Sequence, residues 1–158
     1  FLFYISIYLC LRWSEILKRV KVTAELEEGF VVRSQIRKHR VIMDLPPPLG
    51  DDKGPTPVDV MLASLAGCLG IVARYHAKKF NIEIKSLKIV IEGEYDTAGF
   101  EGEDVKAGMH KITAQVIVQS PNSEEELVNF FKFVEKHCPV GDTFTSNTPT
   151  ELKVIKKG

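Results

Sequence analysis

Charge imbalance, a disulfide framework and metal-ligand spacing are all missing from this 158-residue sequence, and each absence narrows what it can do. Its 21 Lys and Arg are matched by 21 Asp and Glu, and no long basic run stands out. With no field to gather phosphates or an anionic surface, neither nucleic acid nor a membrane is an expected partner. The three cysteines, Cys10, Cys68 and Cys138, are odd in number and lack the paired spacing of a zinc site. Few thiols in an ordinary globular composition fit a reducing compartment, so a cytoplasmic location is expected. His39, His76 and His110 show no ligand spacing with one another or with the thiols. No Gly-rich loop joins strand to helix in phosphate-binding form. Neither a metal nor any other cofactor is expected.

The length permits one buried core, and 44% of the residues are hydrophobic. One domain is therefore expected, spanning 18–158. The stretch from Phe1 to Trp13 is almost wholly apolar, yet supplies about half of the ~20 residues a spanning helix needs. It also lacks the basic start and small-residue cleavage site of a secretory signal. Residues 1–17 are set aside as an extension outside the fold, and Cys10 with them.

From Lys18 the chain alternates, with Val20, Val22 and Ala24 on one face of an expected strand. Phe30 to Ser34 and Arg40 to Asp44 read as two more. Pro46, Pro47, Pro48, Gly50 and Gly54-Pro55 then forbid regular structure. Thr56 as N-cap, Pro57 at the first helical position and Asp59 three residues after Thr56 mark a helix start. Between Val58 and Ala73 only Asp59 and Ser64 are polar, which places this helix at the centre of the fold. Ile82 to Ile91 and Ile112 to Val118 alternate as a strand pair. Ser123 and Glu126 form a capping box for a second helix carrying Leu127, Phe131, Val134 and Cys138 on one face, with Pro139 ending it. A short strand, Leu152 to Ile155, closes an α+β layer arrangement.

Cys68 falls about three turns into the central helix, beyond the reach of its N-terminal dipole. Apolar burial keeps a thiol protonated and inert, so a reactive Cys68 requires a cation brought from elsewhere in the fold. Ala63, Gly67 and Gly70 make a bare stripe beside it, open to a substrate or to another backbone. Glycine in a helix costs about 1 kcal/mol relative to Ala, which asks for a packing or functional reason. Cys138, expected as the last helical residue, would face an unfavourable dipole and suits a resolving thiol better than a first attacker. Periodicity alone reads both as core cysteines, a role free Cys often fills.

The run from Gly54 to Cys68, GPTPVDVMLASLAGC, resembles the signature of the OsmC/Ohr family of thiol-dependent hydroperoxide reductases, and His137-Cys138-Pro139-Val140 resembles its second cysteine motif. The order of elements over about 18–156 agrees. The resemblance implies an α+β, OsmC-like fold, with antiparallel sheets packed on a buried central helix and a second helix, in an intertwined homodimer. It implies that Cys68 attacks an organic hydroperoxide, that Cys138 resolves the resulting sulfenic acid as a disulfide, and that an external dithiol reduces it. It also implies an activating Arg, for which Arg33 is the candidate and Arg37 and Arg40 the competitors. Its supporting carboxylate, usually Glu, falls on Asp59, which is also a helix-capping acid. Two other readings remain open at this point: a small-molecule or acyl-ligand binding protein without significant peroxidase activity, and a structural Cys68/Cys138 disulfide.

Overall fold

The computed structural model describes residues 17–156, so all but the last residue of the N-terminal extension, Cys10 included, lies outside the described residues. The chain divides into two compact units at Pro57/Val58.

In the N-terminal unit, strands β1 (Thr23–Leu26), β2 (Val32–Ile36) and β3 (His39–Met43) form an antiparallel sheet in the order β1-β2-β3. The alternation that begins at Lys18 becomes a strand only at Thr23, which pairs with Gln35. Beyond Ile36 the chain turns at Arg37 (φ 53°), so Val20 has no β2 residue opposite it, and the ladder ends at Thr23 with Val22 left exposed. The other two strands lie within two residues of their expected starts.

Asp44, only 2% exposed, organises the proline-rich loop that follows β3. Its Oδ1 accepts the Leu45 N–H at 2.8 Å, and its Oδ2 accepts those of Asp51 and Lys53, each at 3.1 Å. A loop barred from ladder bonding by its prolines thus satisfies its backbone on one carboxylate. Gly50 is required by this packing, because a Cβ there would lie 2.6 Å from Asp44 Oδ1. The N–H of Lys53, foremost among these donors, holds the Asp44 carboxyl below its usual range.

The second unit contains α1 (Pro57–Ala77), a 3-10 turn (Lys78–Phe80), β4 (Ser86–Glu94), α2 (Thr97–Phe100), β5 (Lys111–Gln119), α3 (Glu124–Lys136) and α4 (Pro139–Thr145). Strands β4 and β5 pair antiparallel over their full length, from Ser86↔Gln119 to Glu94↔Lys111. Leu87, Ile89 and Ile91 share one face with Val118, Val116 and Ala114 opposite them, and most of these pack against the core. That core joins Leu65, Leu69, Ala73 and Ala77 of α1 to Phe130 and Val134 of α3, with Cys138 beyond. The α3 start carries the expected capping box, Ser123 Oγ accepting from Glu126 N while the Glu126 carboxylate accepts the Ser123 N–H.

Three expectations are corrected here. Helix α1 is long and apolar enough to cross a membrane, yet it buries a single stripe at four-residue spacing rather than its whole circumference. Ile71 and Tyr75, on its other side, are 73% and 80% exposed. The stretch Leu152 to Ile155 forms no strand, because it pairs with no ladder among the described residues, and it is fully exposed. Pro139 does not merely end the second helix: it opens α4, and the short α2 also interrupts the Gly-rich connection.

Asp44→Asn should lower the thermal unfolding midpoint at pH 7, since an amide offers one acceptor oxygen where the carboxylate offers two. With its carboxyl depressed on folding, Asp44 contributes stability that is complete above the ordinary value of about 4 and is lost as pH falls through the lower folded value. Melts from pH 7 to pH 2 should therefore show the gap between wild type and variant closing in the acid range. A pH-independent gap would assign the loop to other contacts.

Candidate active site

The residue before a proline is pushed out of the helical region by the proline ring. Cys138, preceding Pro139, accordingly adopts φ −85°, ψ 110°, while His137 caps α3. Pro139 takes the first position of α4, where its missing N–H costs nothing. Cys138 thus becomes the N-cap of α4, its Sγ accepting the Gly141 N–H at 3.3 Å. The expected site at the C-terminal end of a helix, with its unfavourable dipole, is replaced by one at a helix start. The sequence carried this signal in Cys-Pro-Val-Gly, and the Gly141 donor is the group that periodicity alone missed.

Cys138 is completely buried, at 0% exposure, whereas Cys68 is partly exposed. Both are free thiols, and Cys68 packs against the cluster that contains Cys138. Burial foremost, and then the neighbouring Cys68 thiol, push the Cys138 thiol above its ordinary value of 9.0, while the Gly141 N–H pulls it back. Beside Cys68, a Cβ on Gly67 would meet no neighbouring atom within 4 Å, so the bare stripe faces open space there rather than a packed backbone. His137 is turned to its own helix, with Nδ1 2.8 Å from Phe133 O and its ring stacked on Phe133 at 3.9 Å.

The remaining candidates lie on other elements. Asp59 is exposed in the first turn of α1, about 13 Å along the axis from Cys68 and on the opposite side of the helix. Arg33 stands on β2 of the N-terminal unit, where Nε and Nη2 donate to the two carboxylate oxygens of Glu27 at 2.6 and 3.1 Å. Those bonds hold the Glu27 carboxyl below its usual range. At 39% and 42% side-chain exposure the pair adds little stability, but its bidentate form fixes the guanidinium plane. Glu27 was not singled out in the sequence. Its signal lay in the register: Glu25 is directly opposite Arg33, which makes Glu27, two residues on, its diagonal neighbour. Of the competitors, Arg37 lies in the β2–β3 turn and Arg40 donates to Gln35 Oε1 at 3.2 Å.

Comparison with known proteins agrees with this architecture. Residues 50–153 match the model of the OsmC-like protein family. A hydroperoxide reductase of Mycoplasma genitalium is 29% identical over 139 residues, covering 87% of this chain and 96% of that protein. A second hydroperoxide reductase, from Mycoplasma pneumoniae, is 28% identical over 137 residues, covering 87% of this chain and 94% of that protein. The crystal structure of an OsmC-like protein from Mycoplasma pneumoniae superposes with a TM-score of 0.73 at 29% identity, covering 81% of this chain and 88% of that one. With its antiparallel sheets, its long apolar helix bearing one cysteine and its second cysteine ahead of Pro139, the chain belongs to the OsmC-like protein family.

Proposed function

We propose that this protein reduces organic hydroperoxides to alcohols through Cys68 and Cys138. The observation that carries the reading is the asymmetry of two free thiols in one apolar cluster, one partly exposed and the other buried at a helix cap. The naming of family relatives as hydroperoxide reductases supports it. Cys68, as thiolate, attacks the terminal oxygen of ROOH. The O–O bond breaks, ROH leaves with a proton from solvent, and Cys68 becomes a sulfenic acid. The Cys138 sulfur then attacks the Cys68 sulfur, the S–O bond breaks, and the hydroxyl leaves with the Cys138 proton as water. An external dithiol returns the disulfide to two thiols. The apolar side chains around Cys68 favour an organic peroxide over hydrogen peroxide.

In this reading 18–158 works as a single domain in the cytoplasm. It pairs as a homodimer that covers the exposed Ile71 and Tyr75 of α1, because apolar side chains of that size gain from leaving water. Arg33 is the activating cation, oriented by Glu27, and Asp59 is the secondary carboxylate candidate.

Stopped-flow mixing of reduced protein with cumene hydroperoxide should consume Cys68 and Cys138 rapidly and in equal amounts, and hydrogen peroxide should act more slowly. Slow, unselective oxidation would favour a ligand-binding protein instead. Cys68→Ser should abolish turnover. Cys138→Ser should allow one oxidation and then stall as a sulfenic or more oxidised acid, and normal cycling by this variant would end the resolving assignment. Arg33→Ala should slow peroxide consumption at least tenfold, corresponding to about 1.4 kcal/mol of transition-state stabilisation. A full-rate Arg33→Ala variant, with a slow Arg37→Ala or Arg40→Ala one, would move the role to that residue.

A further inference from the structure

Helix α4 has only seven residues, too few to persist without tertiary support. Its support is small. Val140 packs partly against the core, and Thr143 and Thr145 return their hydroxyls to carbonyls of the same helix. Beyond Ser146 the chain is irregular and exposed. Its first turn is tied to Cys138 twice, by the Asp142 N–H donating to the Cys138 carbonyl at 2.9 Å and by the Gly141 N–H donating to Cys138 Sγ, which makes that sulfur the side-chain cap of the helix. Capping by a side chain is commonly the difference between a formed and a frayed first turn.

Resting on the peroxidase reading, we propose that oxidation of the Cys68/Cys138 pair uncaps α4, and that the loosened helix admits the external dithiol to the disulfide. Forming the bond draws two neighbouring sulfurs to a covalent separation of about 2.05 Å with a fixed dihedral, so the Cys138 sulfur is no longer free to face Gly141. A disulfide sulfur is also a poorer acceptor than a thiol or thiolate. In the reduced protein Cys138 is 0% exposed while Cys68 is partly exposed, so with α4 closed a dithiol has only the Cys68 side of the bond to approach, and loosening α4 opens the other. Reduction consumes one dithiol: its first thiolate breaks the S–S bond to give a mixed disulfide and a protein thiolate. Its second thiol displaces the other protein sulfur, leaving a cyclic disulfide and two protein thiols. The thiol returned to Cys138 then accepts from Gly141 and the helix closes.

The test is amide hydrogen exchange of the full chain, reduced and after oxidation with diamide, with intact mass and peptide mapping to verify the Cys68/Cys138 disulfide. Diamide makes the disulfide without peroxide, so a protein that fails to consume cumene hydroperoxide still reports on the helix. Exchange across Gly141 to Ser146 should quicken about fivefold on oxidation, the change expected for loss of one cap, while Phe130 to Val134 stay unchanged. Equal exchange in both states would overturn the proposal, as would failure of any oxidant to form this disulfide. Cys138→Ser retains a capping hydroxyl and should show no response to diamide. Gly141→Ala tests access separately. A Cβ there sits at ordinary contact distance, 3.5 Å from Cys138 Sγ and 3.7 Å from Leu65 Cδ1, and Ala strengthens the helix. Reduction of its disulfide by dithiothreitol should slow about fivefold, and an unchanged or faster rate would overturn the gating half of the proposal.

Discussion

The thiol pair depends on the steric refusal of Pro139 to follow a helical residue. With a residue other than proline at that position, α3 would be free to continue, and Cys138 would sit in its last turn among carbonyls that repel a thiolate. Proline forces Cys138 into an extended conformation after His137 and starts a new helix immediately. The break turns a buried core cysteine into the meeting point of α1, α3 and α4. Leu65, Leu69 and Val134 of its cluster supply no polar group, so the Gly141 N–H at the start of α4 is the donor its sulfur meets.

Helix α1 meets two demands with one sequence. The stripe Leu65, Leu69, Ala73, Ala77 recurs every four residues and packs on α3 and the β4–β5 hairpin. Cys68 sits one position before Leu69, on the shoulder of that stripe, which brings its sulfur to the core while leaving it partly open. Gly67 keeps the neighbouring surface bare at a cost in helix propensity of about 1 kcal/mol, and no packed neighbour within 4 Å repays it. The glycine is therefore better explained by space kept clear for something larger than a methyl group than by close packing.

Much of the architecture was legible because the signals were local. The Pro57 start of α1, the Ser123/Glu126 capping box and the β4–β5 alternation each reside in a few consecutive residues whose physical preference matches the fold. What failed depended on partners. The alternation at Val20 and Val22 is as good as that at Ala24, but β2 turns away at Arg37 and leaves it unpaired. Leu152 to Ile155 alternates equally well and has no ladder. The apolar circumference of α1 pointed to full burial, which one chain does not provide. The Arg33–Glu27 pair was hidden for a related reason, since it follows from strand register rather than from any motif.

Backbone geometry also makes the two sulfurs inequivalent. Two cysteines in one apolar cluster would be nearly equivalent if burial were their only environment. Cys138, however, is the more buried, and its surroundings push its thiol up. In the proposed cycle it is therefore the second sulfur to act, and the proton that burial helps it keep leaves with the Cys68 hydroxyl as water when the two sulfurs join.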